Sequence, residues 1–158
     1  PEVAGFEIVA EIGRGGMGVV YRARRPFDPM RFQAFLNRSW PGVLRAKGFF
    51  WLATRPHYVG EISQAGPLVR TGKMGLWWSA VPKEQWPRDP GFLKAVGPYI
   101  DPVWGDRRQE IVFIGADPMD EAALRAELDA CLLTDESFRP ERWRDLTDPF
   151  ANWSPRAA

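Results

Sequence analysis

Three groups of residues have types and spacing that could support chemistry. Gly13, Gly15 and Gly18, with Val20 two residues on, spell G-x-G-x-x-G-x-V between two strand-like runs. Such a turn either admits a phosphate chain to the backbone or simply closes a hairpin. The second group is His57 and Cys131, the single histidine and single cysteine. A zinc site wants three or four Cys, His or carboxylate ligands, and these two are far apart in sequence. His57 falls in the turn Arg55-Pro56-His57 and reads as solvated, while Cys131 lies on an apolar helical stripe and reads as a small buried hydrophobe. Carboxylates at Glu61, Asp106 and Glu110 show no ligand spacing, and His57 has no evident nucleophile to activate. The third group is arginine. Arg22 and Arg24 share one strand face, and Arg107-Arg108-Gln109-Glu110 leads into another strand. A structural salt-bridge network is the first reading; a basic patch for phosphate or a partner is the rival.

The elements that must hold these residues follow from the pattern. Phe6 to Ile12 and Val19 to Arg24 read as two strands across the glycine turn, pairing antiparallel with the first at the sheet edge. Asp28 can cap a helix with Pro29 in its first turn, and Phe32, Phe35 and Leu36 share a helical face. Ser39-Trp40-Pro41-Gly42 stops that helix. Strands are expected at Val43 to Thr54, Tyr58 to Gln64 and Met74 to Val81, then a loop from Pro82 to Pro90 and a short helix within Phe92 to Ile100. Gln109 to Gly115 is a central strand by its continuous apolar run. Asp117-Pro118 starts a helix with Leu124, Leu128, Cys131 and Leu132 as its stripe. Beyond Thr134 the chain should lie on the surface, anchored by Trp143, Phe150 and Trp153. The order β-β-α-β-β-β-(α)-β-α predicts an α+β fold: a mixed or antiparallel sheet with helices on one face, ferredoxin-like, with an added N-terminal hairpin.

Composition narrows the function. The chain has 158 residues, 45% apolar and 26% charged, with a net charge of +1. That balance argues against nucleic acid as a partner, and no run is long enough to span a membrane. One cysteine excludes an internal disulfide, and with no signal peptide visible a cytoplasmic location is expected. Eight Trp beside ten Phe imply either a densely packed aromatic core or a surface meant for a partner.

Two resemblances complete the reading. Ile12-Gly13-Arg14-Gly15-Gly16-Met17-Gly18-Val19-Val20-Tyr21 resembles the glycine-rich loop of bacterial Ser/Thr protein kinases. That resemblance implies Gly13, Gly15, Gly18 and Val20 as an ATP site. Arg25-Pro26-Phe27-Asp28 then stands where V-A-I-K belongs, and neither H-R-D nor D-F-G occurs, so phosphoryl transfer is not implied. The rest resembles the C-terminal domain of CobW-type metal-handling GTPases. The matching strings are 20–29, 40–53, Ser63-Gln64-Ala65-Gly66, Gly105-Asp106-Arg107-Arg108-Gln109-Glu110-Ile111-Val112-Phe113-Ile114-Gly115 and 128–134. No G-x-x-x-x-G-K-[ST] loop or cysteine-rich metal motif of that family's GTPase domain is present in this sequence. The two resemblances meet inside one strand, as in a chimera: a kinase-like strand and turn over 1–18, a CobW C-terminal-like domain over 19–153 and a tail over 154–158. The implied function is a non-catalytic binding or regulatory module with no cofactor and no metal of its own. Its partner would be a GTPase domain or a metal-client protein. The alternative is a kinase-related fragment that holds ATP weakly.

Overall fold

The computed structural model describes residues 4–11 and 16–153, with residues 4–11, 16 and 17 as backbone alone. Strand β1, Ala4–Glu11, runs antiparallel to β2, Gly16–Ala23, with Phe6 opposite Tyr21 and Ile8 opposite Val19. This is the expected pairing. Asp28 accepts from the Arg31 N–H at 3.0 Å and opens α1, Pro29–Leu36, with Pro29 in its first turn. Then come β3, Val43–Phe50; β4, Tyr58–Ala65; β5, Leu68–Leu76; α2, Pro90–Val96; β6, Gln109–Ala116; and α3, Glu121–Asp129. The sheet order is β1-β2-β6-β3-β4-β5, with every neighbouring pair antiparallel.

β2 and β3 both lie antiparallel to β6, so they are parallel to each other with α1 as their crossover. This split β-α-β unit gives the fold its ferredoxin-like centre. β6 is internal, as its apolar run demands, and its side chains alternate: Gln109, Ile111, Phe113 and Gly115 are buried, while the residues between are half-buried.

Several boundaries differ from the sequence expectation: β3 ends at Phe50 and not at Thr54, β5 ends at Leu76 and not at Val81, and two starts move. α3 begins at Glu121 because Asp120, not Asp117, accepts from the Ala123 N–H at 3.0 Å. Cys131 and Leu132 therefore follow the helix but remain buried. β5 begins at Leu68, six residues before Met74. Gly66, at φ +57°, makes a tight turn that returns the chain directly along β4.

The aromatic count resolves into two cores. Beneath α1 and α3, Phe32 stacks on Phe27 at 4.3 Å between ring centres and meets Phe50 at 4.8 Å, with Phe35 on Trp40 at 4.9 Å. A second cluster gathers Trp51, Ala53, Val59, Trp77, Leu133 and Trp143. The C-terminal segment straps across as expected, with Trp143 and Phe150 buried.

Arg55 holds that strap. It pairs with Asp148 through Nε at 2.9 Å and Nη2 at 3.0 Å, and donates to the Phe150 and Ala151 carbonyls. Burial raises the Asp148 pKa, but hydrogen bonds from Arg55 and Thr54 outweigh it, so the carboxyl sits below the ordinary aspartate range. Its folded pKa is depressed relative to the unfolded one. The linked stability is therefore present above about pH 4 and lost as pH falls through the folded value. Denaturation midpoints measured from pH 5 to pH 3 should fall more gently for Asp148→Asn than for the unaltered chain. Parallel slopes would show that this ion pair contributes nothing to acid lability.

Candidate functional site

The densest motif in the sequence, Gly105 to Glu110, lies where β6 begins. Gly105 adopts φ +65°, and a Cβ there would lie 2.2 Å from the Cβ of Ser79, so the position admits only glycine without movement. Asp106 is buried and accepts from the backbone N–H groups of Trp78 at 2.9 Å and Ser79 at 3.0 Å, anchoring the turn that follows β5. Arg107 donates to the Pro56 carbonyl and, at 2.8 Å, to Ser79 Oγ. Arg108 donates to the Asp106 carbonyl at 2.9 Å and lies over the Tyr99 ring, 4.0 Å from its centre, and the Phe49 ring, at 4.9 Å. Burial lowers both guanidinium pKa values, while Asp106 and Glu110 oppose the shift.

Gln109 is fully buried. Its Oε1 accepts from the Trp51 N–H, and its Nε2 donates to the Trp51 and Arg25 carbonyls, each at 2.8 Å. Glu110 completes the series against Arg22 at 3.1 Å and Arg108 at 3.7 Å. Of the salt-bridge network read from the sequence, Arg22 and Arg108 pair with Glu110, whereas Arg24 donates to the Tyr99 carbonyl and Arg107 to Pro56 and Ser79; each side chain from Asp106 to Glu110 makes contacts that brace the fold.

Beside this segment opens a cleft of about 300 Å³. The sheet supplies Phe49, Val59, Met74 and Leu76, and Trp77 and Trp78 follow directly. The other wall is an arm, residues 78–104, through Ala95, Val96 and Tyr99, with Asp106 and Arg108 at one end. The arm carries its own ring cluster: Trp78 meets Phe92 at 4.7 Å, and Trp86 meets both. Its helix α2 buries no residue, and Leu93, Ile100 and Val103 are exposed. The sequence reading saw a loop and a short helix here but not the cleft. The clue was Trp77-Trp78 followed by Trp86 and Phe92, too many large rings for a free loop.

The other candidates fall elsewhere. Gly18 and Val20 lie within β2, Gly18 opposite Ile114 and Ala10, Val20 opposite Val112 and Glu7. Gly13 and Gly15 lie outside the described residues. His57 is exposed in its turn. Cys131 lies in a groove of about 350 Å³ between α1 and α3, with its Sγ 3.4 Å from the Arg31 carbonyl and 3.3 Å from that of Glu127. Among the described residues no group of three or more His, Cys, Asp or Glu could hold a metal ion. None of the helices there is long and apolar enough to cross a membrane.

Burial pushes the Cys131 thiol up to about 12, although Arg31 and Arg38 pull it back. The folded protein should resist iodoacetamide at pH 8 and react once unfolded in guanidinium, as read by mass spectrometry. Rapid alkylation in the native state would contradict this placement.

Sheet, helices and cleft define an α+β domain whose most motif-rich segment is architectural and whose open feature is an aromatic cleft. The family described as "Cobalamin synthesis protein cobW C-terminal domain" matches residues 17–132, and the chain belongs to it. Among curated relatives, a zinc-regulated GTPase metalloprotein activator of Dictyostelium discoideum is 33% identical over 153 residues, covering 94% of this chain and 32% of that protein. A zinc chaperone of Mycobacterium tuberculosis is 32% identical over 160 residues, covering 97% of this chain and 38% of its own length. The chain thus spans about a third of these relatives. The Zn(II)-bound YjiA GTPase from E. coli superposes with a TM-score of 0.50 at 17% identity, over 75% of this chain and 30% of that one. A triple mutant of YjiA gives 0.51 at 16%. At that identity the likeness is one of fold. These matches lend the kinase resemblance no support. An alignment covering 97% of the chain takes in most of residues 1–18 alongside the rest.

Proposed function

We propose that this chain is a non-catalytic binding and regulatory module of a metal-handling GTPase, engaging a GTPase domain or a metal-client protein in the cytoplasm. The observation that carries this reading is the state of the Gly105 to Glu110 segment. Asp106, Arg107 and Gln109 are held by backbone groups and Ser79, and Glu110 pairs with Arg22 and Arg108, the latter lying over the Tyr99 and Phe49 rings. A general acid or base needs a carboxylate or similar group free to meet a substrate, and the two carboxylates of this segment, Asp106 and Glu110, are engaged by backbone amides and by arginines. The cleft beside it is apolar and suited to recognition.

The relatives' names, a zinc-regulated GTPase metalloprotein activator and a zinc chaperone, support zinc as the cargo of the larger assembly. A resident zinc ion does not suit this chain: His57 is solvated in a turn, and the Cys131 thiol is held protonated. We take residues 19–153 as the module and the 1–18 strand and turn as an addition to its sheet edge, with 154–158 as a tail.

The test combines calorimetry with phosphate release, using the purified GTPase domain of the Dictyostelium discoideum zinc-regulated GTPase metalloprotein activator. The expected result is saturable binding of that domain and no hydrolysis of GTP or ATP by the chain alone. Hydrolysis above background, or absence of binding, would overturn the reading. Micromolar ATP binding lost on bulky replacement of Gly13 and Gly15 would instead favour the kinase-related alternative.

A further inference from the structure

The sheet face turned away from α1 and α3 is open over β3, β4 and β5. Register fixes which side chains share a row: Lys47 lies opposite Ser63, and Ser63 opposite Arg70. One row on stand Arg45, Ala65 and Leu68; one row back stand Phe49, Glu61 and Gly72, where the cleft begins. Successive rows on one face lie about 7 Å apart, two residues along a strand.

Arg45, Lys47 and Arg70 are all exposed. Among the described residues none of them has a carboxylate within ion-pair distance, whereas Arg22, Arg25, Arg31, Arg38, Arg55, Arg108 and Arg125 all do. Arg24, Arg88, Arg107, Arg139, Arg142 and Arg144 also lack such a carboxylate but lie outside the strands, whereas Arg45, Lys47 and Arg70 share one face of the sheet. An apolar cleft adjoins them on that face.

We infer that this face docks an extended acidic segment of a partner protein, with a large apolar side chain in the cleft and carboxylates at Lys47, Arg70 and Arg45. The inference rests on the reading of the chain as a binding module. Charge complementarity selects an anionic partner. Three cations beside exposed Leu68 and half-buried Val112 and Ile114 suit a mixed acidic and apolar polypeptide. A nucleic-acid face needs a longer run of phosphate contacts than three cations supply, and the Glu61 carboxylate stands in the next row.

The test is an amide-resolved NMR titration of the full chain with the blocked peptide Glu-Val-Glu-Leu-Glu-Phe. Shifts are expected at Lys47, Ser63 and Arg70 and at Phe49 and Trp77, weakening with salt. Lys47→Glu with Arg70→Glu, both exposed, should weaken binding at least tenfold. Ala95→Trp, which fills the cleft from the exposed arm helix, should abolish the shifts at Phe49 and Trp77. Three results would overturn the inference: no shifts, equal affinity in the charge-reversed variant, or a DNA duplex perturbing the same residues as strongly. If the charge-reversed chain binds the peptide as tightly as the unaltered chain while GTPase-domain capture persists, this surface is wrong and the module reading stands. If the unaltered chain binds the peptide but no GTPase domain, the module reading fails and the surface stands.

Discussion

Replacing Gln109 with leucine should lower the unfolding free energy by about 3 to 4 kcal/mol, although leucine is similar in size and more apolar. Gln109 joins three elements: the end of β2 through the Arg25 carbonyl, the end of β3 through both backbone groups of Trp51, and β6, on which it stands. Leucine would leave the Trp51 N–H and the Arg25 carbonyl buried without this partner, at about 1 to 3 kcal/mol for each unsatisfied group. The Trp51 carbonyl keeps a second donor in the Phe27 N–H at 2.9 Å, so its loss is smaller. Guanidinium denaturation monitored by tryptophan fluorescence measures the difference. A loss below about 1 kcal/mol would mean that the backbone ends of β2 and β3 find other partners, and that Gln109 is not the tie between them.

Phe32→Ala should cost about 4 kcal/mol, the range for deleting a fully buried aromatic ring. Phe32 has no exposed surface and contacts the rings of Phe27, Phe35, Phe50 and Phe150, so it joins α1 to the sheet and to the C-terminal strap. Phe92→Ala offers the contrast. Phe92 also meets two rings, but it is half-buried on the arm, and its loss should cost about 1 kcal/mol. Equal losses in the two variants would show that the arm is as integral to the fold as the helical core.

Much of this fold was legible in the chain because its signals are local. The apolar run of 111–114 announced an internal strand, Asp28 with Pro29 announced the start of α1, and a short glycine-bearing turn left the two N-terminal strands little choice but to pair antiparallel. The family resemblance was legible for a related reason. Gly105 to Glu110 is a string in which each residue type is demanded by a separate contact, so it survives as a recognisable word. What those contacts are could not be read. Gln109 looks like any polar residue opening a strand, and only the packed structure brings Arg25 and Trp51 to it from 84 and 58 positions away.

β5 shows the converse. Its residues 68–73 are mostly exposed, mix two apolar with four other residues and carry no alternation, so they gave no strand signal; pairing to β4 across Gly66 makes them a strand. The cleft and the cationic face belong to the same category. Phe49, Val59 and Tyr99 line one cavity, and Arg45, Lys47 and Arg70 share one surface, only because register and the path of the arm set them side by side. Sequence alone determined the element order, the family and the absence of a spaced metal-ligand motif, since each is written in neighbouring residues. Tertiary structure decided which arginines are paired, which are left open and where the cleft lies. Those properties depend on contacts between residues distant in the chain, and no local pattern encodes them.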